Sequence, residues 1–216
     1  MLKMKVFKNR DDWLRGRKTY IGGSDAACII GLDPYKTNVE MWEFKTGRKQ
    51  QEDISGKPYV KYGTDAEKYL RELFKLDFPQ FKVGYYEYNF CTNDKYPWAH
   101  ASLDGWLTDE NGRRGILEIK TTNIQSQQQK MKWENQIPDN YFVQVLHYLM
   151  VTEFDFAILK AQLKWERDDD VFCVTKHYRI ERSDVEADFE LLENSEKAFY
   201  EFIKSDIQPP LILPEI

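Results

Sequence analysis

Two carboxylates and a lysine occur in a part of the sequence that otherwise favours buried β-strands. Asp104 lies in the segment 103–105, Leu-Asp-Gly, and Glu118 and Lys120 lie in the segment 117–120, Leu-Glu-Ile-Lys. Successive side chains of a strand point to opposite faces, so Glu118 and Lys120 are expected on one face and their apolar neighbours on the other. Two charged groups then share one face of a strand that is otherwise suited to burial.

A hairpin is expected to bring Asp104 to this strand. The dipeptide Asn111-Gly112 is a strong hairpin signal. A turn centred between these two residues places Asp104 opposite Ile119 and next to Glu118. Asp104 and Glu118 are therefore predicted to be close neighbours in space.

Paired carboxylates of this kind suggest a metal site. They would repel each other unless a hard cation such as Mg²⁺ takes oxygen ligands from both. The cation would polarise a scissile phosphate and activate a water, and Lys120 would orient that water or neutralise developing charge. The pattern is short, and a surface hairpin with a cross-strand ion pair is the alternative interpretation.

The surrounding elements predict a mixed α/β domain with a central sheet. We expect one globular domain over residues 1–216, because the chain is long enough and apolar enough to bury a core. Apolar spacing and turn residues predict the following elements. Helices are expected over 24–30, 39–46, 64–76 and 141–151 and near the C-terminus, and strands over 81–90, 98–107, 115–121, 154–163 and 172–180.

Composition narrows the class of protein. The net charge of -5 argues against coating of DNA by bulk electrostatics, although the first twenty residues are locally basic and form either a phosphate-binding surface or a solvated arm. Three cysteines cannot supply a four-cysteine iron–sulfur cluster and are expected to be core thiols. With no stretch of about 20 apolar residues and no signal-peptide core, we expect a soluble, cytoplasmic protein.

Five sequence blocks resemble the lambda exonuclease, or YqaJ-type viral recombinase, family of the PD-(D/E)xK nuclease superfamily. They occur in the family's order across roughly residues 13–165. The blocks are Trp13–Arg17 with Ile21–Ala27 and Gly31–Tyr35; Tyr62–Glu67; Ala101–Gly105; Leu117–Lys120; and Tyr141–Val145 with Val151-Thr152. The resemblance implies a restriction-endonuclease-like core with a central mixed sheet flanked by helices.

The resemblance also implies roles for the carboxylates. Asp104 and Glu118 would be metal ligands together with the Ile119 carbonyl, and Lys120 would be the catalytic lysine. Glu67 would serve a second metal ion, its alternative being a simple exposed helix residue. Mg²⁺ is the expected ion, Mn²⁺ can substitute for it, and two ions per site are implied.

Further residues would contact DNA or support the site. Tyr141 and Gln144 lie three apart on one helix face, and their alternative is a helix that packs on the sheet with one buried amide. Arg17 and Ser24 correspond to residues that hold the 5′-terminal phosphate. Ser24 also fits a plain helix N-cap, and the two interpretations are compatible.

The activity implied is a 5′-to-3′ exonuclease of phage or prophage recombination in a bacterial host cell. It would act on linear double-stranded DNA with phosphorylated 5′ ends and leave 3′ overhangs for a single-strand annealing protein, as a homotrimer with no membrane partner. The alternatives are a related endonuclease or repair nuclease, and a non-catalytic module that binds DNA ends. Cleavage of closed circular DNA would favour the endonuclease, and absence of metal-dependent nucleotide release would favour the module.

Overall fold

Helices flank two mixed sheets in the computed structural model, which describes residues 1–50 and 52–213. The helices are α1 Arg10–Lys18, α2 Gly23–Ile29, α3 Asn38–Lys45, α4 Pro58–Asp77, α5 Gln127–Met131, α6 Asp139–Thr152 and α7 Glu186–Ser205, with a 3-10 turn over Arg182–Val185. The strands are β1 Leu2–Val6, β2 Ile21–Gly22, β3 Lys82–Gly84, β4 Asn89–Asn93, β5 Ala99–Ala101, β6 Gly105–Thr108, β7 Arg114–Asn123, β8 Phe156–Arg167 and β9 Asp170–Glu181.

The larger sheet has five strands in the order β3-β6-β7-β8-β9, and only the β7–β8 pair is parallel. The smaller sheet has the order β1-β4-β5-β2, and its β2–β5 pair is parallel. Helix α6 lies in the crossover between β7 and β8, as parallel neighbours require. The predicted mixed α/β class is confirmed, and the second sheet is an addition to it.

Strand β7 is covered on both faces, which explains its apolar composition. Leu117 and Ile119 pack with Leu70 and Phe74 of α4 in one buried cluster. Ile116 belongs to the other cluster, which also contains the buried residues of α6. Glu118 and Lys120 share the face of Ile116, so they are directed toward α6.

Two strands predicted as continuous are each divided. The segment 81–90 forms β3 and the start of β4, separated where Tyr88 takes a left-handed conformation with φ 56°. The segment 98–107 forms β5 and β6, which belong to different sheets. The connection Ser102–Asp104 therefore carries the chain from one sheet to the other.

The hairpin register differs from the prediction by one residue. Gly105 pairs with Leu117 and Thr108 with Arg114, and this register places Asp104 opposite Glu118 rather than opposite Ile119. The reason is an odd-numbered loop in which Gly112 has φ +77° and its N–H donates to the Asp109 carbonyl at 3.0 Å. Such three-residue loops shift the pairing relative to a two-residue turn.

Two helix starts and one cysteine also differ from the predictions. Helix α4 begins at Pro58 rather than at residue 64, because proline is favoured in the first turn and Gly63 is accommodated inside the helix. The N-cap of α2 is Gly22 and not Ser24, because the Gly22 N–H donates to the Asp25 carboxylate at 3.0 Å. Cys173 is exposed on edge strand β9, so the prediction of a core thiol is wrong there.

Helices α3, α6 and α7 lie close to their predicted positions. None of the described helices is long and apolar enough to cross a membrane.

Candidate active site

Asp104 lies at the open edge of β7. Strand β6 begins at Gly105, opposite Leu117, so β7 has no antiparallel neighbour beyond that pair. The Asp104 Oδ2 atom accepts a hydrogen bond from the Ile119 N–H at 2.8 Å. The side chain thereby takes the place of the missing strand.

The loop that carries Asp104 is held by side chains of other elements. Asn89 in β4 donates to the Leu103 carbonyl and accepts from the Leu103 N–H, both at 2.8 Å. Arg71 in α4 donates from Nη1 to the Asp104 carbonyl at 2.6 Å. Asp104 is therefore fixed through its backbone as well as through its carboxylate.

Glu118, Lys120 and Gln144 form a closed hydrogen-bonded group. The Lys120 Nζ atom lies 2.7 Å from Glu118 Oε1 and donates to Gln144 Oε1 at 2.9 Å. Gln144 Nε2 donates to the same Glu118 oxygen at 2.8 Å. The amide of Gln144 thus holds the lysine and the carboxylate together, and Glu118 is only 2% exposed.

Burial and mutual repulsion raise the pKa values of the carboxyl groups at the site. Burial, then the charge of Glu118, raises the pKa of Asp104 to about 7, although Lys120 opposes the rise. Burial, then the charge of Asp104, raises the pKa of Glu67 to about 7 against the effect of Arg71. Burial also raises the pKa of Glu118. Carboxyls held this way favour a bound cation.

The residues fit a hard divalent cation at Asp104 and Glu118. Glu118 Oε2 is buried and has no hydrogen-bond partner among the described residues. The Ile119 carbonyl is directed to the same open edge as its N–H, since both groups of a strand residue face one neighbour. Oxygen ligands of this kind suit Mg²⁺. Mg²⁺ prefers few protein ligands, and two carboxylates with one carbonyl meet that need.

Glu67 lies at the margin of this group. Its Oε1 atom accepts from Arg71 Nη1 at 2.9 Å, and its side chain is 30% exposed. Within residues 1–50 and 52–213, no set of three or more His, Cys, Asp or Glu side chains has the spacing of a metal site. The role of Glu67 at a second ion stays a prediction.

Arg17 and Ser24 form a second polar group. Arg17 Nη2 lies 3.4 Å from Ser24 Oγ, and the guanidinium stacks over Trp13 at 4.4 Å from the ring centroid. Lys45 joins the segments that carry them: it donates to the carbonyls of Arg17 and Tyr20 at 3.3 and 2.6 Å and lies 2.6 Å from Asp25 Oδ2, next to Ser24. The structure thus brings Arg17 and Ser24 together, and their role at a 5′-terminal phosphate stays a prediction.

Tyr141 borders the lysine. Its ring lies 5.1 Å from Lys120 Nζ and stacks on Trp133 at 5.5 Å between centroids. Tyr141 and Gln144 therefore both face Lys120, and Gln144 is the single buried amide that the alternative interpretation of α6 required. The contact with Lys120 gives that amide a place in the site.

Several residues of the site were missed by sequence reasoning. Asn89, Arg71 and Lys45 act on backbone carbonyls of distant segments, so no spacing in the sequence predicts them. Tyr148, whose hydroxyl accepts from Gln144 Nε2 at 3.0 Å, was missed as well, although it lies four residues after Gln144 and shares its helix face. That spacing was the available signal.

The fold is a mixed α/β fold in which the two carboxylates and the lysine lie at the β6–β7 hairpin. A model of the YqaJ-like viral recombinase domain matches residues 12–155, and the chain belongs to that family. The YqaJ protein of Bacillus subtilis (strain 168) is 33% identical over 184 residues, which cover 80% of this chain and 55% of that protein. The chain thus spans little more than half of the relative's length.

Two solved structures share the fold. An alkaline exonuclease, LHK-Exo, from Laribacter hongkongensis superposes with a TM-score of 0.66 at 17% identity, covering 91% of this chain and 94% of that one. A phage related exonuclease from Haemophilus somnus 129PT superposes with a TM-score of 0.55 at 15% identity, covering 87% and 96%. At these identities the likeness is one of fold.

Proposed function

We propose that this protein is a Mg²⁺-dependent deoxyribonuclease that digests linear double-stranded DNA from 5′ ends. It releases 5′-mononucleotides and leaves 3′ single-stranded overhangs for homologous recombination. The observation that carries the proposal is the joining of Asp104, Glu118 and Lys120 at the open edge of β7. Membership of the viral recombinase family and the fold shared with two exonucleases support it.

Asp104 and Glu118 would hold the ion, with the Ile119 carbonyl as a third ligand. When bound, Mg²⁺ supplies Lewis acidity toward a phosphate oxygen and lowers the pKa of a water, and Mn²⁺ can do the same. Lys120 is held by Glu118 and Gln144 at 2.7 and 2.9 Å. Its ammonium group orients the attacking water or stabilises the charge that develops on the phosphate.

Selection of the end is assigned to Arg17 and Ser24. A guanidinium forms charge-assisted, forked hydrogen bonds to phosphate, and the exposed Ser24 hydroxyl lies beside it. Gly22 and Gly23 pack closely on His100 and Tyr148, where no Cβ atom would fit, and Ser24 follows them at the surface beside Arg17. A terminal 5′-phosphate is therefore the group that this corner of the molecule suits.

The wider proposal includes a second ion served by Glu67, assembly as a homotrimer, and a single-strand annealing protein as partner in the bacterial cytoplasm. The trimer, the annealing protein and the cellular location rest on the family alone, whereas the second ion is also supported by the charge of Asp104, which helps to raise the pKa of Glu67. Mass measurement in solution tests the trimer.

The test uses linear duplexes labelled on either strand end, with a 5′-phosphate or a 5′-hydroxyl, in Mg²⁺ or in EDTA. We expect mononucleotide release only with the metal, faster from phosphorylated 5′ ends. Equal digestion from 3′ ends would reject the polarity. A covalently closed plasmid serves as the control: its cleavage would indicate an endonuclease, and end binding without release would indicate a non-catalytic module.

A further inference from the structure

Tyr148 is a buried phenol beside the catalytic group. It lies one helical turn after Gln144 on α6, and only 5% of it is exposed. Gln144 Nε2 donates to the Tyr148 hydroxyl oxygen at 3.0 Å and to Glu118 Oε1 at 2.8 Å. Both hydrogens of this amide nitrogen are used, so the Tyr148 oxygen acts here as an acceptor.

Two polar atoms at this place have hydrogen-bonding capacity that no described residue uses. The Tyr148 O–H has no hydrogen-bond acceptor, and Glu118 Oε2 has no donor. A buried tyrosine hydroxyl normally finds a partner for its proton. An unused donor next to an unused carboxylate oxygen fits a ligand that brings an acceptor oxygen and a cation together, as a phosphate with its metal ion does.

The Tyr148 ring also contacts the first residue of α2, which directly precedes Ser24. A Cβ atom on Gly23 would lie 2.5 Å from Tyr148 Cε1 and 3.0 Å from Gln144 Cγ. Tyr148 therefore packs directly on the Gly23 backbone, one residue before Ser24 and its neighbour Arg17. The phenol lies between the residues assigned to the DNA end and the carboxylates assigned to the metal.

Charges on both sides act on the hydroxyl. Burial raises the pKa of Tyr148 well above its ordinary value, the negative charge of Glu118 adds to the rise, and Arg17 opposes it. The hydroxyl therefore keeps its proton over the whole working range of pH. It can serve as a hydrogen-bond donor throughout.

We propose that Tyr148 contacts the substrate, donating a hydrogen bond from its hydroxyl to a non-bridging phosphate oxygen of the DNA end. The inference rests on the proposed function, because it takes DNA as the ligand of this site. The phosphate is either the 5′-terminal one, next to Arg17, or the scissile one, next to Glu118. Both phosphates present the same kind of acceptor oxygen, and the comparison of 5′-phosphorylated with 5′-hydroxyl DNA distinguishes them.

The test compares wild type with Tyr148→Phe, which removes the oxygen and keeps the ring on Gly23. Affinity for 5′-phosphorylated and 5′-hydroxyl duplexes is measured by fluorescence anisotropy in EDTA, and kcat/KM in Mg²⁺. We expect a loss of about tenfold or more in both, as for a hydrogen bond to a charged group. A larger loss on the phosphorylated duplex identifies the terminal phosphate, and an equal loss identifies the scissile one.

A double-mutant cycle separates contact from positioning. If Tyr148 merely holds Gln144, then Tyr148→Phe will have no effect on DNA binding in a Gln144→Ala background, and the proposal fails. It also fails if the single variant keeps wild-type binding and kcat/KM. The matched control is Tyr200→Phe on α7, which removes a phenol oxygen outside the site.

Failure of the nuclease proposal gives a different result. If wild type binds DNA but releases no nucleotide in Mg²⁺, the proposed function is wrong while the anisotropy comparison still decides the role of Tyr148. If wild type neither binds nor digests DNA, both proposals are overturned.

Discussion

The Asp104 carboxylate accepts a hydrogen bond from the Ile119 backbone N–H at 2.8 Å. This bond joins a loop residue to the strand that carries Glu118 and Lys120. Because Asn89 and Arg71 hold the loop backbone at the same time, the spacing of the two carboxylates is set before any ion binds. A preorganised ligand pair of this kind lowers the cost of capturing a cation.

Asp104→Asn should weaken metal binding without weakening the fold. The amide oxygen can still accept from Ile119, while the negative charge that a divalent ion needs is lost. We expect turnover to fall by a factor of about 100 or more and Mg²⁺ affinity, measured by calorimetry, to fall with it. The melting temperature should be unchanged or higher, since a buried charge beside Glu118 is removed.

Asp94→Asn, which alters an exposed ion pair with Lys3, is the control. Unchanged Mg²⁺ affinity in Asp104→Asn would contradict the assignment.

Lys120→Met tests the proposed catalytic role of this lysine, and the matched control is a buried lysine on the neighbouring strand. Lys160 of β8 is also buried, but it contacts Phe74 and Asp77 on the α4 side of the sheet. We expect Lys120→Met to lower kcat by about 10²- to 10⁴-fold and Lys160→Met to leave it within threefold, as measured by nucleotide release. Wild-type kcat in Lys120→Met would remove the lysine from the mechanism.

Gly23→Ala should disturb the site through packing alone. The added Cβ meets Tyr148 and Gln144 at 2.5 and 3.0 Å, so those side chains must move. We expect a loss of about 1–3 kcal/mol in the free energy of unfolding and at least a tenfold loss of activity. Gly56→Ala is the matched control, because nothing lies within 4 Å of a Cβ there. Equal behaviour of the two variants in denaturation and nuclease assays would refute the close contact.

Arg17→Ala is expected to act on the choice of end. Removing the guanidinium deletes a charge-assisted contact to a terminal phosphate, so the rate advantage of a 5′-phosphorylated duplex over a 5′-hydroxyl duplex should shrink toward one. Arg15→Ala, which breaks only an exposed ion pair with Asp12, should preserve that advantage. A full advantage in Arg17→Ala would show that the phosphate is read elsewhere.

The buried pair His147–Glu196 should make stability depend on pH. Burial lowers the pKa of His147, but the Glu196 carboxylate, 2.6 Å from Nδ1, outweighs it and holds the pKa above the ordinary value of 6.5. The stabilisation is therefore fully present below about pH 6.5 and is lost as pH rises through the folded-state pKa.

Denaturant titrations of wild type and Glu196→Gln test this dependence. We expect the variant to lose about 3 kcal/mol below pH 6.5 and less at higher pH. Glu201→Gln, in an exposed pair with Lys204, should cost little at any pH. A loss in Glu196→Gln that stays constant with pH would contradict a charged His147.

Local patterns in the sequence were sufficient to predict which residues lie together at the centre of the candidate site. Alternation along residues 117–120 predicts that Glu118 and Lys120 share a face, and a strong turn signal predicts that Asp104 lies close by. The register was off by one residue because the left-handed Gly112 belongs to an odd-numbered loop. The size of such a loop depends on how the turn closes, which the dipeptide signal alone does not determine.

Long-range contacts account for what the sequence did not predict. Asn89 is held against the Leu103 backbone fourteen positions away, and His147 finds Glu196 forty-nine positions away. In the sequence each is an isolated polar residue in an apolar segment. Only the packing of the elements shows that these residues have partners, since no periodicity relates them.

The short link Ser102–Asp104 ties the ligand pair to the mutual placement of the two sheets. Asp104 follows β5 of the smaller sheet, and Glu118 belongs to the larger sheet. The distance between their carboxylates therefore depends on the relative position of the two sheets. We expect partial separation of β5 from β4 to abolish the proposed nuclease activity below the temperature at which the whole chain unfolds, because subglobal openings need less free energy than complete unfolding.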